Sequence, residues 1–311
     1  MKLSTYFDNG EFVLTGEVGP IKGAIPRDRA VVPRCAREAE SLYGRVHAIN
    51  VTDNQSAVMR LGSMAACVGL KTRGHEPIYQ LTCRDRNRIA LQSDILTAYS
   101  LGMDNMLLLT GDHIRLGDHK TTKPVFDLDS VQLIKMAKGL QEGHDTVGNE
   151  IENPPDFTIG AVVNPSFVPL DLQLMKMKKK IDVGAEFFQT QAVYDDKIVD
   201  EFISKAEKFG KPVQLGVVLL KSSQMGKFMN KNVSGITVPQ EWIDEIGSVD
   251  KLDRKKKAAE MMGRFIKKHK SKVQGIHIMP LGWTDIVPDI LDQAEIKITG
   301  VAGQIHVKKG S

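Results

Sequence analysis

Short apolar runs recur along this chain at residues 12–18, 46–53, 77–83, 105–111, 157–165, 186–194, 213–220 and 274–280. Most are near-continuous rather than alternating, the pattern of parallel strands covered on both faces. Between them lie segments with helical spacing of apolar positions, at 29–42, 56–70, 86–101, 129–140, 170–183, 196–209 and 254–269, with a short last one at 286–294. Gly44, Gly74, Gly102, Gly143, Gly184 and Gly210 each close a helical segment before the next strand. Strand and helix thus alternate, and right-handed crossovers close such a series into a (β/α)8 TIM barrel, an α/β fold. No linker or low-complexity tract divides the sequence, so residues 1–311 read as a single barrel domain. The stretch 219–242 is the longest insertion and is expected to form a loop over the rim. A doubly wound sheet is the alternative architecture, disfavoured because no Gly-x-Gly-x-x-Gly follows the first strand.

A composition of 41% hydrophobic and 26% charged residues is that of an ordinary globular protein. No run approaches the roughly 20 apolar residues of a membrane span. The N-terminal residues 1–8 lack the apolar stretch of a signal peptide. Cys35, Cys67 and Cys83 are far apart and odd in number, which argues against disulfides and for a reducing, cytoplasmic compartment. Cys35 and Cys67 sit in helical apolar patterns and read as core. The net charge is only +4, but lysines cluster at Lys176, Lys178, Lys179 and Lys180, at 255–257 and at 267–272. Solvated helix faces are the ordinary meaning of such clusters. No aromatics interleave with them, so they do not point to nucleic acid. An anionic cofactor or a polyglutamylated substrate would suit the same charge.

In a closed barrel every strand exit converges on one rim, where the chemistry sits. Glu17 stands at the first exit, where the apolar run meets the turn Gly19-Pro20-Ile21-Lys22-Gly23. It is a candidate active-site acid, with a helix cap or surface carboxylate as the plain alternative. The later exits carry Thr52-Asp53-Asn54-Gln55, Gln80 to Asp85, Thr110-Gly111-Asp112, Asn164-Pro165, Gln189-Thr190-Gln191, Lys221-Ser222 and Pro280 to Trp283. His75, His113, His119 and His277 have no metal-ligand spacing, so no metal is expected. No nucleophile elbow and no phosphate-binding loop occur. A rim of amides and carboxylates suits a planar heterocycle that brings its own reactivity. Gln80, Asn164 and Gln191 can hydrogen-bond along a ring edge, and a carboxyl can supply a proton.

Leu14-Thr15-Gly16-Glu17, Val51-Thr52-Asp53, Gln80-Leu81-Thr82-Cys83, Leu109-Thr110-Gly111-Asp112, Ile181 to Ala185 and Gln189-Thr190-Gln191 follow one another at barrel spacing. Together they resemble the methylenetetrahydrofolate reductase family, over nearly the whole chain. The resemblance implies a flavin-containing barrel that reduces 5,10-methylenetetrahydrofolate to 5-methyltetrahydrofolate by hydride transfer from flavin N5. Glu17 matches the family's general acid, which must hold a proton near neutral pH as folate N10 is protonated. Asp112 matches a carboxylate near the flavin that also meets the folate, and Gln191 the pterin-binding glutamine. Thr52, Gln80 and Thr110 fall at flavin-contacting positions and Lys180 on the flavin's phosphate side. Asn164 joins them as a ring-edge amide.

This chain also departs from the family. Gln80 stands where histidine is frequent, Thr110 where arginine is, Gln173 in place of a ribose-binding carboxylate, and Val218 in place of an aromatic near the nicotinamide. FAD and FMN therefore both stay open, as do NAD(P)H and an iron–sulphur protein as electron donors. The resemblance is nearest to forms that work as oligomeric complexes with a small cysteine-rich, metal-binding partner subunit. A flavin-free methyltetrahydrofolate-binding methyltransferase barrel and a non-catalytic folate-binding subunit of a complex are the alternatives. The joint presence of Glu17 and Asp112 favours catalysis.

Overall fold

The computed structural model describes residues 1–28, 31–233, 235–301 and 304–310. Its apolar runs form β1 (Val13–Val18), β2 (Ala48–Val51), β3 (Pro77–Thr82), β4 (Asn105–Leu109), β5 (Thr158–Val163), β6 (Phe187–Thr190), β7 (Val213–Val218) and β8 (Gly275–Met279). Each strand pairs in parallel with the next, and β8 closes on β1, as the (β/α)8 reading requires. The register pairs Glu17 with Asn50 across β1 and β2, and Thr15 with His277 across β1 and β8.

The helices are α1 (Leu3–Asp8), α2 (Arg34–Glu40), α3 (Ser63–Lys71), α4 (Arg88–Ser100), α5 (Ser130–Gln141), α6 (Leu170–Asp182), α7 (Asp196–Ala206), α8 (Ser223–Asn232), α9 (Gln240–Gly247), α10 (Arg254–His269) and α11 (Val287–Gln293). Their starts are chemically marked. The Asn87 side chain accepts from Ala90 N–H ahead of α4, and Asp129 with Gln132 forms a reciprocal capping box on α5. Their ends use left-handed glycines, as at Gly74 (φ +83°) and Gly184 (φ +118°). None of these helices is long and apolar enough to cross a membrane.

Four differences from the sequence reading have local causes. The helix expected over 29–42 is Arg34–Glu40, and residues 29 and 30 lie outside the described residues. The helix expected from residue 56 starts only at Ser63. Asn54, Ser56 and Ala57 hold φ of +43°, +58° and +56°, which a right-handed helix cannot contain. The insertion 219–242 is only partly a loop: Gly235 lies against Asn164 at the cleft, but most of the stretch is helical. It contains α8 and the start of α9, which bury Met229, Ile243 and Ile246. After the last helix, β9 (Ile296–Val301) and β10 (Gln304–Lys309) form an antiparallel hairpin outside the barrel, with Ile296 and Ile305 buried and Lys297 and Lys308 exposed.

The core has two parts. The larger lies between barrel and helices and takes in Cys35, Cys67 and Cys83. The smaller fills the lower barrel interior: Val13, Ala48, Ile78, Leu107 and Phe187, closed from beneath by Leu3 and Tyr6 of α1. Gly160 makes room for the Phe187 ring, since a Cβ there would stand 2.5 Å from Cζ. Truncating a buried aromatic in such a layer removes its transfer energy and leaves a cavity. Phe187→Ala is therefore expected to destabilise the protein by about 3–5 kcal/mol, read as a lower denaturant midpoint at unchanged slope.

Candidate active site

At the carboxyl ends of the strands a cleft of about 410 Å³ opens into the barrel. Every residue expected at the site lines it: Glu17, Thr52, Gln80, Thr110, Asp112, Asn164, Lys180 and Gln191. Lys180 reaches the cleft from α6, and for the residues at strand exits the reason is strand periodicity. Alternate residues point inward, so a side chain at a strand's exit shares a face with those two and four places before it.

Glu17, the next-to-last residue of β1, has a side chain only 10% exposed. Its Oε2 lies 3.6 Å from His277 Nε2 on β8. Asp112, beyond β4, is exposed at the rim, and its Oδ2 accepts from Ser56 N–H at 3.1 Å. Buried Arg84 holds three exits together. Its guanidinium donates twice to the Asp85 carboxylate (2.9 and 2.7 Å), and also to Asn54 O (3.2 Å) and Asp112 O (3.3 Å). Burial alone would raise the Asp85 carboxyl, but the Arg84 hydrogen bonds hold it below its ordinary value.

The amides differ in how far they are already used. Gln191 Oε1 accepts from Ala192 N–H and Asn164 Oδ1 from Ser166 N–H. Among the described residues, neither NH2 group has a hydrogen-bond acceptor, and that of Asn164 lies against Gly235. Thr110 Oγ1 accepts from Ser130 N–H at the start of α5. Thr52 is 3% exposed, and its hydroxyl has no hydrogen-bond partner among the described residues. An unpaired buried hydroxyl costs about 1–3 kcal/mol, and a ligand can supply the missing bond. Gln173 lines the cleft, whereas Val218 is buried and its carbonyl accepts from Tyr194 Oη.

Lys180 differs from the ion-paired lysines of the later helices. Lys255, Lys257, Lys267, Lys268 and Lys272 each pair with a carboxylate, as solvated helix faces do. Lys180 Nζ donates to Val162 O at 2.7 Å and has no ion-pair partner among the described residues. Burial, reinforced by nearby Lys176, pushes its ammonium down to about 8. It is a cation held in the cleft without an anion.

Sequence reasoning passed over one layer of the site. Beneath the rim, Thr15, Asn50, Gln189, Gln214 and His277 form a buried hydrogen-bonded network across the barrel. The signal was present, since each interrupts an apolar strand run on the inward parity that Glu17 shares.

A model of the methylenetetrahydrofolate reductase family matches residues 2–295. The chain is 26% identical over 247 residues to methylenetetrahydrofolate reductase 2 of Saccharomyces cerevisiae. That alignment covers 72% of this chain but only 39% of the yeast protein, so the chain spans well under half of its relative's length. An uncharacterised protein from Clostridium thermocellum that binds two copies of 5-methyl-5,6,7,8-tetrahydrofolic acid superposes with a TM-score of 0.63 at 13% identity, over 94% of this chain and 99% of that one. A 2,3-dimethylmalate lyase superposes with a TM-score of 0.51 at 12% identity, over 94% of this chain and 84% of that one. At such identities these two likenesses speak for the barrel fold. The family match runs from the first helix through the eighth strand and its helix, leaving only the C-terminal hairpin beyond it: the chain belongs to the methylenetetrahydrofolate reductase family.

Proposed function

We propose that this barrel reduces 5,10-methylenetetrahydrofolate to 5-methyltetrahydrofolate with a bound flavin, Glu17 acting as general acid. The observation that carries the reading is the Glu17 carboxyl, nine-tenths buried at the end of β1 and lining the same cleft as Gln191 and Lys180. Three features of the cleft fit a flavin. The Thr52 hydroxyl is buried without a partner, Lys180 is a cation without an anion, and the Gln80 side chain lines the cavity beside them. Thr52, Gln80, Thr110 and Asn164 would hold the ring system and Lys180 the phosphate; FMN and FAD meet this set equally. When bound, the flavin supplies the hydride.

The protein's own part is to bind, orient and protonate. Gln191, with its NH2 group free, hydrogen-bonds the pterin. Glu17 gives its proton to folate N10, which breaks the bond between N10 and the methylene carbon and leaves an N5 iminium. A hydride added to that carbon completes the methyl group, and the proton stays on N10. Asp112, tied at the rim by Ser56 N–H and the Arg84 contact to its carbonyl, offers a carboxylate to the cationic folate. Electrons arrive from NAD(P)H or from an iron–sulphur protein through a small cysteine-rich partner subunit.

An anaerobic visible spectrum tests the reading. Photoreduced protein is expected to regain its oxidised flavin band when methylenetetrahydrofolate is added. Absence of any flavin band after reconstitution with FMN or FAD would overturn it and favour a flavin-free folate-binding barrel. Glu17→Gln is expected to keep the flavin band and lose folate-dependent reoxidation by about 10²–10⁴-fold.

Lys180 generates a prediction of opposite signs. Its ammonium titrates near 8 in the fold, against an ordinary 10.5. Between those values the unfolded chain binds more protons, so stability of the cofactor-free protein rises with pH from about 8 to 10.5. Below 8 the full penalty of a buried ammonium is present. Lys180→Met is expected to stabilise the cofactor-free protein by about 1–2 kcal/mol at pH 7, allowing for partial exposure. The same change is expected to weaken flavin binding about tenfold or more, and wild-type affinity is expected to fall as pH rises through 8. Thermal melts and flavin titrations at pH 7 and 9 measure both.

A further inference from the structure

We infer that His277 is a positioning residue for Glu17, holding one carboxyl oxygen so that the other carries the proton toward the cleft. The inference rests on the acid role proposed for Glu17 and concerns how that acid is aimed. It starts from a count of hydrogens in the buried network. Gln189 Nε2 has two, and its nearest acceptors are Gln214 Oε1 (3.0 Å) and Asn50 Oδ1 (3.1 Å). Asn50 Nδ2 returns a bond to Gln189 Oε1 at 2.7 Å, and Gln214 Nε2 donates to Val13 O at 3.1 Å. The Thr15 hydroxyl then has two acceptors in reach: His277 Nδ1 at 3.0 Å and Gln214 Oε1 at 3.5 Å. The second is farther and already served by Gln189. The hydroxyl therefore donates to Nδ1.

That donation fixes the tautomer. With Nδ1 accepting, the neutral ring carries its hydrogen on Nε2, the nitrogen that faces Glu17 Oε2 at 3.6 Å. The gap is longer than a hydrogen bond, and a movement of about half an ångström closes it. An N–H aimed at Oε2 leaves the Glu17 proton on Oε1. Asp53, Arg84, Asp112, Lys176 and Lys180 are the other charged groups lining the cleft, and none of them is within ion-pair distance of Glu17 among the described residues. His277 is the group placed to orient this carboxyl.

The test uses the flavin-loaded protein and the pH dependence of flavin reoxidation by methylenetetrahydrofolate in single turnovers. Thr15→Val keeps the side-chain volume and removes the donor that fixes the tautomer. His277→Ala removes the ring, and His277→Gln restores an N–H of similar reach. Thr15→Val and His277→Ala are expected to slow reoxidation about tenfold with the folate dissociation constant within about twofold of wild type. They are also expected to move the basic limb of the pH profile upward, because a donor that stabilised the carboxylate is gone. His277→Gln is expected to recover rate and limb together. A slower rate with the limb unmoved in every variant means that the network merely supports the barrel, and it overturns the inference. Wild-type rate and limb in Thr15→Val overturn it as well. Failure of the parent reading looks different, since the wild-type flavin itself would then not be reoxidised by folate. The flavin band of each variant reports whether it has folded, and Thr15→Val alone decides should His277→Ala not assemble.

Discussion

The upper half of this barrel depends on the hydrogen bonds of one buried carboxamide. Gln189 on β6 reaches Asn50 on β2 through two bonds and Gln214 on β7 through its second amide hydrogen, with Thr15 on β1 packed beside it. Strands that are not neighbours in the sheet are thereby fastened across the interior. Each bond contributes only about 1 kcal/mol, but a buried polar group left without its partner costs about 1–3 kcal/mol, so the members stand or fall together. An apolar layer at this level would be easier to pack. It could not fix the donor and acceptor directions that the rim above requires.

The layers run in order along the barrel axis. Lowest is the apolar plug of Phe187, Leu107 and the α1 side chains; above it lies the amide network; above that are Glu17, Gln80 and Gln191. Because inward positions recur every second residue, each strand contributes to successive layers with a single parity. Val13, Thr15 and Glu17 on β1 are plug, network and rim in turn. A shift of one residue in the β1 register would send all three into the helix-facing core, so the register that closes the barrel also aims the acid.

Much of this was legible in the chain. The eight strands lie within the apolar runs, and glycines mark helix ends, because continuous burial and left-handed turns restrict residue choice strongly. The exit residues of β1 to β6 share one cleft because barrel topology brings strand exits together irrespective of side-chain detail, whereas Lys221-Ser222 and Pro280 to Trp283 do not line it. Other features were not legible. The apolar spacing of 56–70 gives no sign that Ser56 and Ala57 would turn left-handed to approach the β4 loop, where a Cβ on Gly117 would stand 1.8 Å from Ala57 O. α8 and α9 are short and amphipathic, and their Ser, Gln and Lys residues read as loop until Ile243 and Ile246 are seen buried. His277 was visible and set aside because it was weighed as a metal ligand, whereas it hydrogen-bonds Thr15 and faces the Glu17 carboxyl across a strand pair.

Where the structure spends stability also follows the barrel axis. The bottom is closed by apolar contacts of α1, beside a buried His47 whose Nε2 has no hydrogen-bond partner among the described residues. Several unfavourable features lie at the top: left-handed Asn54, Ser56 and Ala57, the unpartnered Thr52 hydroxyl, and an ammonium at Lys180 that burial has pushed down to about 8. Non-glycine left-handed residues cost of order 1–3 kcal/mol each and persist only where surrounding packing holds them. Scattered over the surface, such features would be defects. Thr52 and Lys180 line the same cleft, and under the proposed function a bound ligand would supply the partner that each lacks. The α1 plug and the Gln189 network supply the rigidity that keeps those groups waiting, so stability at one end and binding energy at the other are two uses of the same strands.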